Sequence, residues 1–492
     1  MNNFHEQAMS SVYQQVLHRL LGFFSRSERI ALQLLIQRLL VAAGGVDRIE
    51  RYRVMVVHEG GKECAYTLAF LRAAQLSISG RSPHTFILRI AILRQPRMTA
   101  NVMERIQAQC SELFMYDDSR VELLLVDEQA ATRLHKQVGF ESLSCDLNRT
   151  QVLMSGHLTH GDARATFLYA DLLSRAKLYR RASNWGVKVD ALIDRRPPTH
   201  LGQYVRWIQQ VAKQQGHSPN GEHRQGFESA VKLCSQLDDD YKQLLRLPAA
   251  PGSEASAGAG EGAGDINVIN VFDCLCHEMD VLHSPVLVFM EGAWNIKALN
   301  IEEPQAAVVL VAAHVHGMRG AYQYGVEYSV GADAYLRRAS RENTCNDRFK
   351  GQLIKQLGAV FDTPKQLEKL RGAAAQYLSK LHGLNDEQLG CLICSPFVNQ
   401  ADGLEPFLQK CHPDKVQRIK DFHRVLMGNP APLQANVAWL ESISGLPLAS
   451  LQALYHMQKI DFTQCNSLIA SLWAHDPNKQ AWHTAPGIEA PD

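Results

Sequence analysis

The stretch RVMVVHEGGKECAYTLAFLRAAQL, residues 53–76, decides the fold. It opens on a short β-rich run from Arg53 to His58, passes through Gly60-Gly61, and continues from Glu63 to Leu76 as a helical segment. A strand, a glycine turn and a helix in that order make the first unit of a parallel sheet with crossover helices. Two further runs extend it, TFILRIAIL at 85–93 and VELLLV at 121–126, alternating with helical segments at 99–114 and 129–138. Runs such as VELLLV are apolar throughout, as strands covered on both faces are.

Upstream, residues 6–24 and 27–43 read as a helical pair that stops at Gly44-Gly45. Downstream, 163–245 reads as helical, broken at Arg195-Arg196-Pro197-Pro198 and again around 216–221. Residues 248–264, PAAPGSEASAGAGEGAG, are too poor in apolar side chains to offset their ordering entropy and read as a flexible linker. Beyond it, INVINVF (266–272), PVLVF (285–289) and AAVVLVA (306–312) are expected as three more buried strands, and 346–475 shows only helical patterns. The expected fold class is α/β: Rossmann-like parallel sheet domains at 45–150 and 265–340, an N-terminal helical pair at 1–44, a helical basic region at 151–247, and an all-α region at 341–492.

Composition excludes several classes. A 46% hydrophobic and 21% charged chain of 492 residues is neither disordered, collagen-like nor a small disulfide scaffold. Net charge is +1, so the whole molecule is no polyelectrolyte. The charge is nonetheless split: residues 1–250 carry 32 Lys+Arg against 24 Asp+Glu, and residues 251–492 carry 19 against 26. This split predicts that the basic stretch 163–213 meets an acidic protein or the chain's own second half. Eleven cysteines, an odd number, and an N-terminus that reads as an amphipathic helix point to free thiols in a reducing cytoplasm. No run of about 18 uncharged apolar residues suggests a membrane span.

Four groups of residues carry candidate chemistry. Gly60, Gly61 and Lys62 lie between the first strand and its helix, where backbone amides and an ammonium could meet a phosphate or nucleotide. The alternative is a plain strand-to-helix turn, since neither GxGxxG nor GxxxxGK[ST] is present. Arg175, Lys177, Arg180, Arg181, Arg195 and Arg196, interleaved with Tyr179 and Trp185, form a candidate surface for an acidic protein partner, with nucleic acid the less favoured occupant. Cys391, Cys394, Cys411 and His412 have the outline of a zinc site, against a reading as buried thiols on a helix face. His314 and His316 end the expected strand AAVVLVA as an H-x-H pair, and Arg418 and His423 share the spacing seen in helical HEPN ribonucleases.

Within 285–340 the chain resembles the closing part of response-regulator receiver domains. The carrying residues are the strand-like PVLVF, the run AAVVLVA, and Gly331-Ala332-Asp333-Ala334-Tyr335-Leu336-Arg337. In this resemblance Glu291 stands at the phospho-accepting position, Arg337 at the invariant lysine, and Asp273 for the acidic pair that binds Mg²⁺. It implies a degenerate receiver without phosphoryl transfer. The expected function is a cytoplasmic regulatory or scaffold protein acting through protein contacts, without a cofactor. The alternative is a nucleotide-binding enzyme or nucleotide-sensing effector, a nuclease among the options, using the 58–62 turn.

Overall fold

The computed structural model describes residues 2–82, 84–94, 98, 100–136, 146–217, 226–247, 265–275, 284–291, 304–342, 363–428 and 434–479. The linker expected at 248–264 lies outside these residues. Two helices, α1 (Asn2–Phe23) and α2 (Arg26–Ala43), open the chain. Ser25 caps α2 in a reciprocal box with Glu28, and Gly44 ends it in the left-handed region at φ +80°.

A six-stranded sheet follows, built from β1 (Arg53–Val57), β2 (Ile87–Leu93), β3 (Val121–Val126), β4 (Ala131–Arg133), β5 (Ala191–Asp194) and β6 (Asn267–Asn270). Its spatial order is β4-β3-β2-β1-β5-β6, parallel except for the edge strand β4. The chain winds outward from β1 through α3 (Lys62–Ser79) to β2 and through α4 (Ala100–Glu112) to β3. It then crosses to the other side of β1 through α5 (Asp146–Leu158), α6 (Ala163–Phe167) and α7 (Tyr169–Ser183) to reach β5. This is a doubly wound, Rossmann-like arrangement.

Side chains alternate across the sheet as the pleat requires. Val54 and Val56 join a core with α1, α2, α3 and α4, while Met55 and Val57 face Leu178 and Ala182 of α7. Both faces are buried, which is why the strands read as unbroken apolar runs. Arg89, fully buried in β2, ties the sheet to the end of α7: its guanidinium donates to Glu122 and to the carbonyls of Ala182, Ser183 and Val187. A third core is entirely helical and joins α5–α7, α8 (Pro198–Gln214) and α9 (Phe227–Leu244) to the helices after residue 304.

The structure corrects four sequence expectations. The described part of the helix expected at 129–138, residues 129–136, holds β4 instead: the Asp127 carboxylate accepts from the amides of Gln129 and Ala130 and turns the chain back on β3. ALID (191–194), expected within a helical stretch, is β5. INVINVF does supply a strand, but β6 hydrogen-bonds to β5 in the same sheet, so it founds no second one. PVLVF and AAVVLVA are helices, within α11 (Pro285–Glu291) and α12 (Pro304–Arg319), with α10 (Phe272–Leu275) preceding them. Short apolar runs cannot be divided between buried strand and buried helix by periodicity, and α12 is buried from Val309 to Val315.

The receiver resemblance loses its structural basis with those strands. Gly331–Arg337 lies inside α13 (Tyr328–Glu342), packed so closely on α12 that a Cβ at Gly331 would stand 2.5 Å from the His316 carbonyl. Asp273 pairs with Arg38 of α2, Arg337 pairs with Asp333 on its own helix, and Glu291 closes α11.

Candidate functional site: the switch-point crevice

Strand order reverses between β1 and β5, and in doubly wound folds the crevice outside the carboxyl ends of the strands at such a switch point is where ligands bind. The loop from β1 is His58-Glu59-Gly60-Gly61, and the loop from β5 is Arg195-Arg196-Pro197. Gly60 adopts φ +79°, and a Cβ there would stand 2.3 Å from Val102 of α4, so both conformation and packing require glycine. Its amide donates to Nδ1 of the buried His58 at 3.0 Å. Burial drives that imidazole down to about 4, with the nearby Arg195 adding to the effect, so it is neutral at pH 7.

Gly61 is the N-cap of α3 and offers no side-chain cap. Lys62 is the first helical residue and only 6% exposed. This puts a basic residue in the first turn, where the helix dipole favours acidic ones. One turn in, the Cys64 sulfur receives the Glu59 amide at 3.4 Å and Nη1 of Arg195 at 2.8 Å. Burial raises the Cys64 thiol above its usual range although Arg195 pulls the other way. Burial also works against the charge of Arg195, but Cys64, Glu63 and Glu59 outweigh it and keep the guanidinium protonated.

The outer rim is charged. Arg196, its side chain 46% accessible, donates to Asp194 at 2.9 Å, and Asn270 at the end of β6 donates to the Arg196 carbonyl at 2.8 Å. Arg175 of α7 reaches Glu59 at 2.9 Å. The Tyr179 hydroxyl, among Glu59, Arg195, Arg196 and Asp194, is pushed up to about 12 by burial and by Glu59. Of these cations Arg195 reaches the first turn of α3 through Cys64, while Arg175 is held by Glu59 and Arg196 by Asp194.

Fold and crevice together define a doubly wound α/β protein carrying a large helical body. Comparison with protein-family models, curated proteins and solved structures finds no match for the chain.

The basic residues picked from sequence therefore do not form one face. Arg175, Arg195 and Arg196 enter the crevice, Lys177 is held by Asp238 and Asp239 of α9, and Arg181 donates to the Asp127 carbonyl. Arg180 is exposed. The histidines of the H-x-H pair go separate ways on α12: His314 lies 3.0 Å from the Tyr328 hydroxyl and 3.1 Å from Asp386, whereas His316 stacks on Tyr335. Arg418 donates to Asn436, and His423 meets the edge of Tyr455.

Cys391 is buried in the helical core, Cys394 and Cys411 are half-buried neighbours, and His412 packs between Phe407 and Trp439. Among the described residues no group of three or more His, Cys, Asp or Glu side chains is placed to hold a metal ion, and no helix is long and apolar enough to cross a membrane. Sequence reading missed Cys64, Asp194 and Asn270. Only knowledge of which strand ends meet would have singled them out.

Proposed function

We propose that this is a cytoplasmic regulatory protein that binds a phosphate-bearing ligand, a nucleotide in the first instance, in the switch-point crevice and acts through protein contacts of its helical parts. One observation carries the reading: the glycine turn at 60–61 leads into the first turn of α3, where Arg195, 131 residues from Cys64 in sequence, donates to the Cys64 sulfur. Backbone amides and guanidinium forks suit phosphate oxygens. In this reading Arg195, whose hydrogen bond to Cys64 is to a thiol rather than a carboxylate, turns to the ligand, and Arg175 exchanges Glu59 for it. Protein contacts draw support from α2, which exposes Ile30, Leu34 and Val41 along one helical face, Val41 being 80% accessible.

Isothermal titration of the full chain with inorganic phosphate, ATP, NAD and a cyclic dinucleotide tests the proposal. At least one should bind, and Lys62→Ala or Arg195→Gln should weaken it roughly tenfold or more, the usual scale of a charge-assisted hydrogen bond. Heat that is absent with all four, or unchanged in both variants, would overturn it.

A further inference from the structure

The helix α2 packs one face inward and leaves the other bare. Leu32, Leu35, Ile36 and Leu39 are buried in the core that α2 shares with α1 and α3. On the outer face Ile30, Leu34 and Val41 are 57%, 45% and 80% exposed, and Gln37 is exposed with them. At 3.6 residues per turn these four positions fall within an arc of about 60°. They are spaced four, three and four residues apart, the interval of a coiled-coil seam. Single exposed apolar side chains are ordinary on a protein surface, whereas three aligned along one helix form a patch.

We propose that this stripe is the seam of a homodimer, in which α2 packs antiparallel on the α2 of a second copy of the chain, about a two-fold axis passing between Leu34 and Gln37.

The inference rests on the reading above that the chain acts through protein contacts, and it names the partner. Two observations select a second copy. The first is symmetry. An interval of four, three and four reads the same from either end, so a two-fold axis brings each seam position onto another: Ile30 meets the partner's Val41, and Leu34 meets the partner's Gln37. An isologous interface needs such self-complementarity. The second is charge. One turn before Ile30, the exposed Arg26 continues the stripe, and just beyond the Gly44-Gly45 end of the helix stands the exposed Asp47. Neither side chain is ion-paired among the described residues. Arg48, the cation next to Asp47, folds back over Gly44, where a Cβ would stand 3.3 Å from its Cδ. Antiparallel packing carries Arg26 past the end of the partner's helix to the turn that holds the partner's Asp47, and the axis makes this pairing twice. Parallel packing would set Arg26 against the partner's Arg26, and like charges facing each other suppress that arrangement. Gln37, the one polar member of the seam, holds the register at a cost in affinity.

Sedimentation velocity of the ligand-free full chain from about 1 μM to about 100 μM, a span that brackets micromolar dissociation constants, tests the proposal. A monomer passing to a dimer within that span is expected. Val41→Glu places a charge in the seam at a position open to solvent in the monomer, so it should keep the parent's circular dichroism and raise the dissociation constant roughly tenfold or more. Arg26→Asp should weaken the dimer, and Arg26→Asp combined with Asp47→Arg should restore it, a rescue that only antiparallel contact gives. A chain still monomeric at about 100 μM would overturn the proposal and leave the stripe to a different protein. So would a dimer that Val41→Glu leaves intact, or a double swap that associates no better than Arg26→Asp alone. Because no phosphate ligand is present in these runs, the crevice stands or falls on its own titration, whatever the mass turns out to be.

Discussion

His157, at the end of α5, is buried with neither ring nitrogen meeting a hydrogen-bond partner among the described residues, and it meets Phe397 edge-on at 5.4 Å. Burial drives its imidazole from the ordinary 6.5 down to about 3. His160 and His58 are lowered to about 4, burial being the chief cause in each. A folded-state value below the unfolded one means that the unfolded chain takes up protons first as the medium is acidified. Stability from these groups is complete above about pH 6.5 and drains away as pH falls towards 4 and below. Each of the fully buried rings, His58 and His157, can account for on the order of 3 kcal/mol across that window. His157→Leu removes one proton-uptake site and one unsatisfied polar group. Urea unfolding should then show a variant more stable than the parent, with a larger gain at pH 5 than at pH 7.5. An equal gain at both pH values would exclude the titration of His157 as its source. Nothing in the sequence marks His157 among the chain's 20 histidines, because the absence of partners is a property of packing.

Among elements, α12 shows how a sequence pattern can be read correctly for burial and wrongly for conformation. AAVVLVA is β-branched and apolar, yet it forms part of a 16-residue helix surrounded by other helices. The same limit hid β5: four residues are too few to display a period. The last described helix, Leu468–His475, illustrates what tertiary contact adds. Asp476 closes it by a buried ion pair with Arg164 of α6, and Trp207 of α8 donates to the Leu472 carbonyl at 2.8 Å. Removing one partner of a buried pair strands the other charge in the interior, at a cost of about 3–5 kcal/mol. Asp476→Ala should therefore lower the urea midpoint markedly and shift Trp207 emission to longer wavelength as the helix loosens, while Asp476→Asn should lose less. A variant within about 1 kcal/mol of the parent, a loss ordinary for any substitution, would show that the pair holds nothing in place.

For the whole molecule, the charge split suggested halves attracted across a basic surface. The structure joins them differently: β6 from beyond residue 250 hydrogen-bonds to β5, and one helical core spans both sides. Arg180 and Arg181 take no part in that junction, since Arg181 donates within the first half and Arg180 faces solvent. Halves co-expressed with a break inside 248–264 should consequently copurify in 1 M salt, where the screening length is about 3 Å, and charge reversal at Arg180 and Arg181 should leave them joined. Dissociation with rising salt would return the interface to electrostatics. The sequence by itself determined the first parallel strands, their crossover helices, the capped N-terminal pair and the glycine turn at 60–61. Each of these is written in local periodicity, in turn residues and in apolar runs that need only their neighbours. Only the tertiary structure decided that β5 and β6 complete the same sheet, that two apolar runs are helical, and that Arg195 meets Cys64. Those outcomes depend on which distant surfaces bury one another, and burial between segments more than a hundred residues apart leaves no period in the chain.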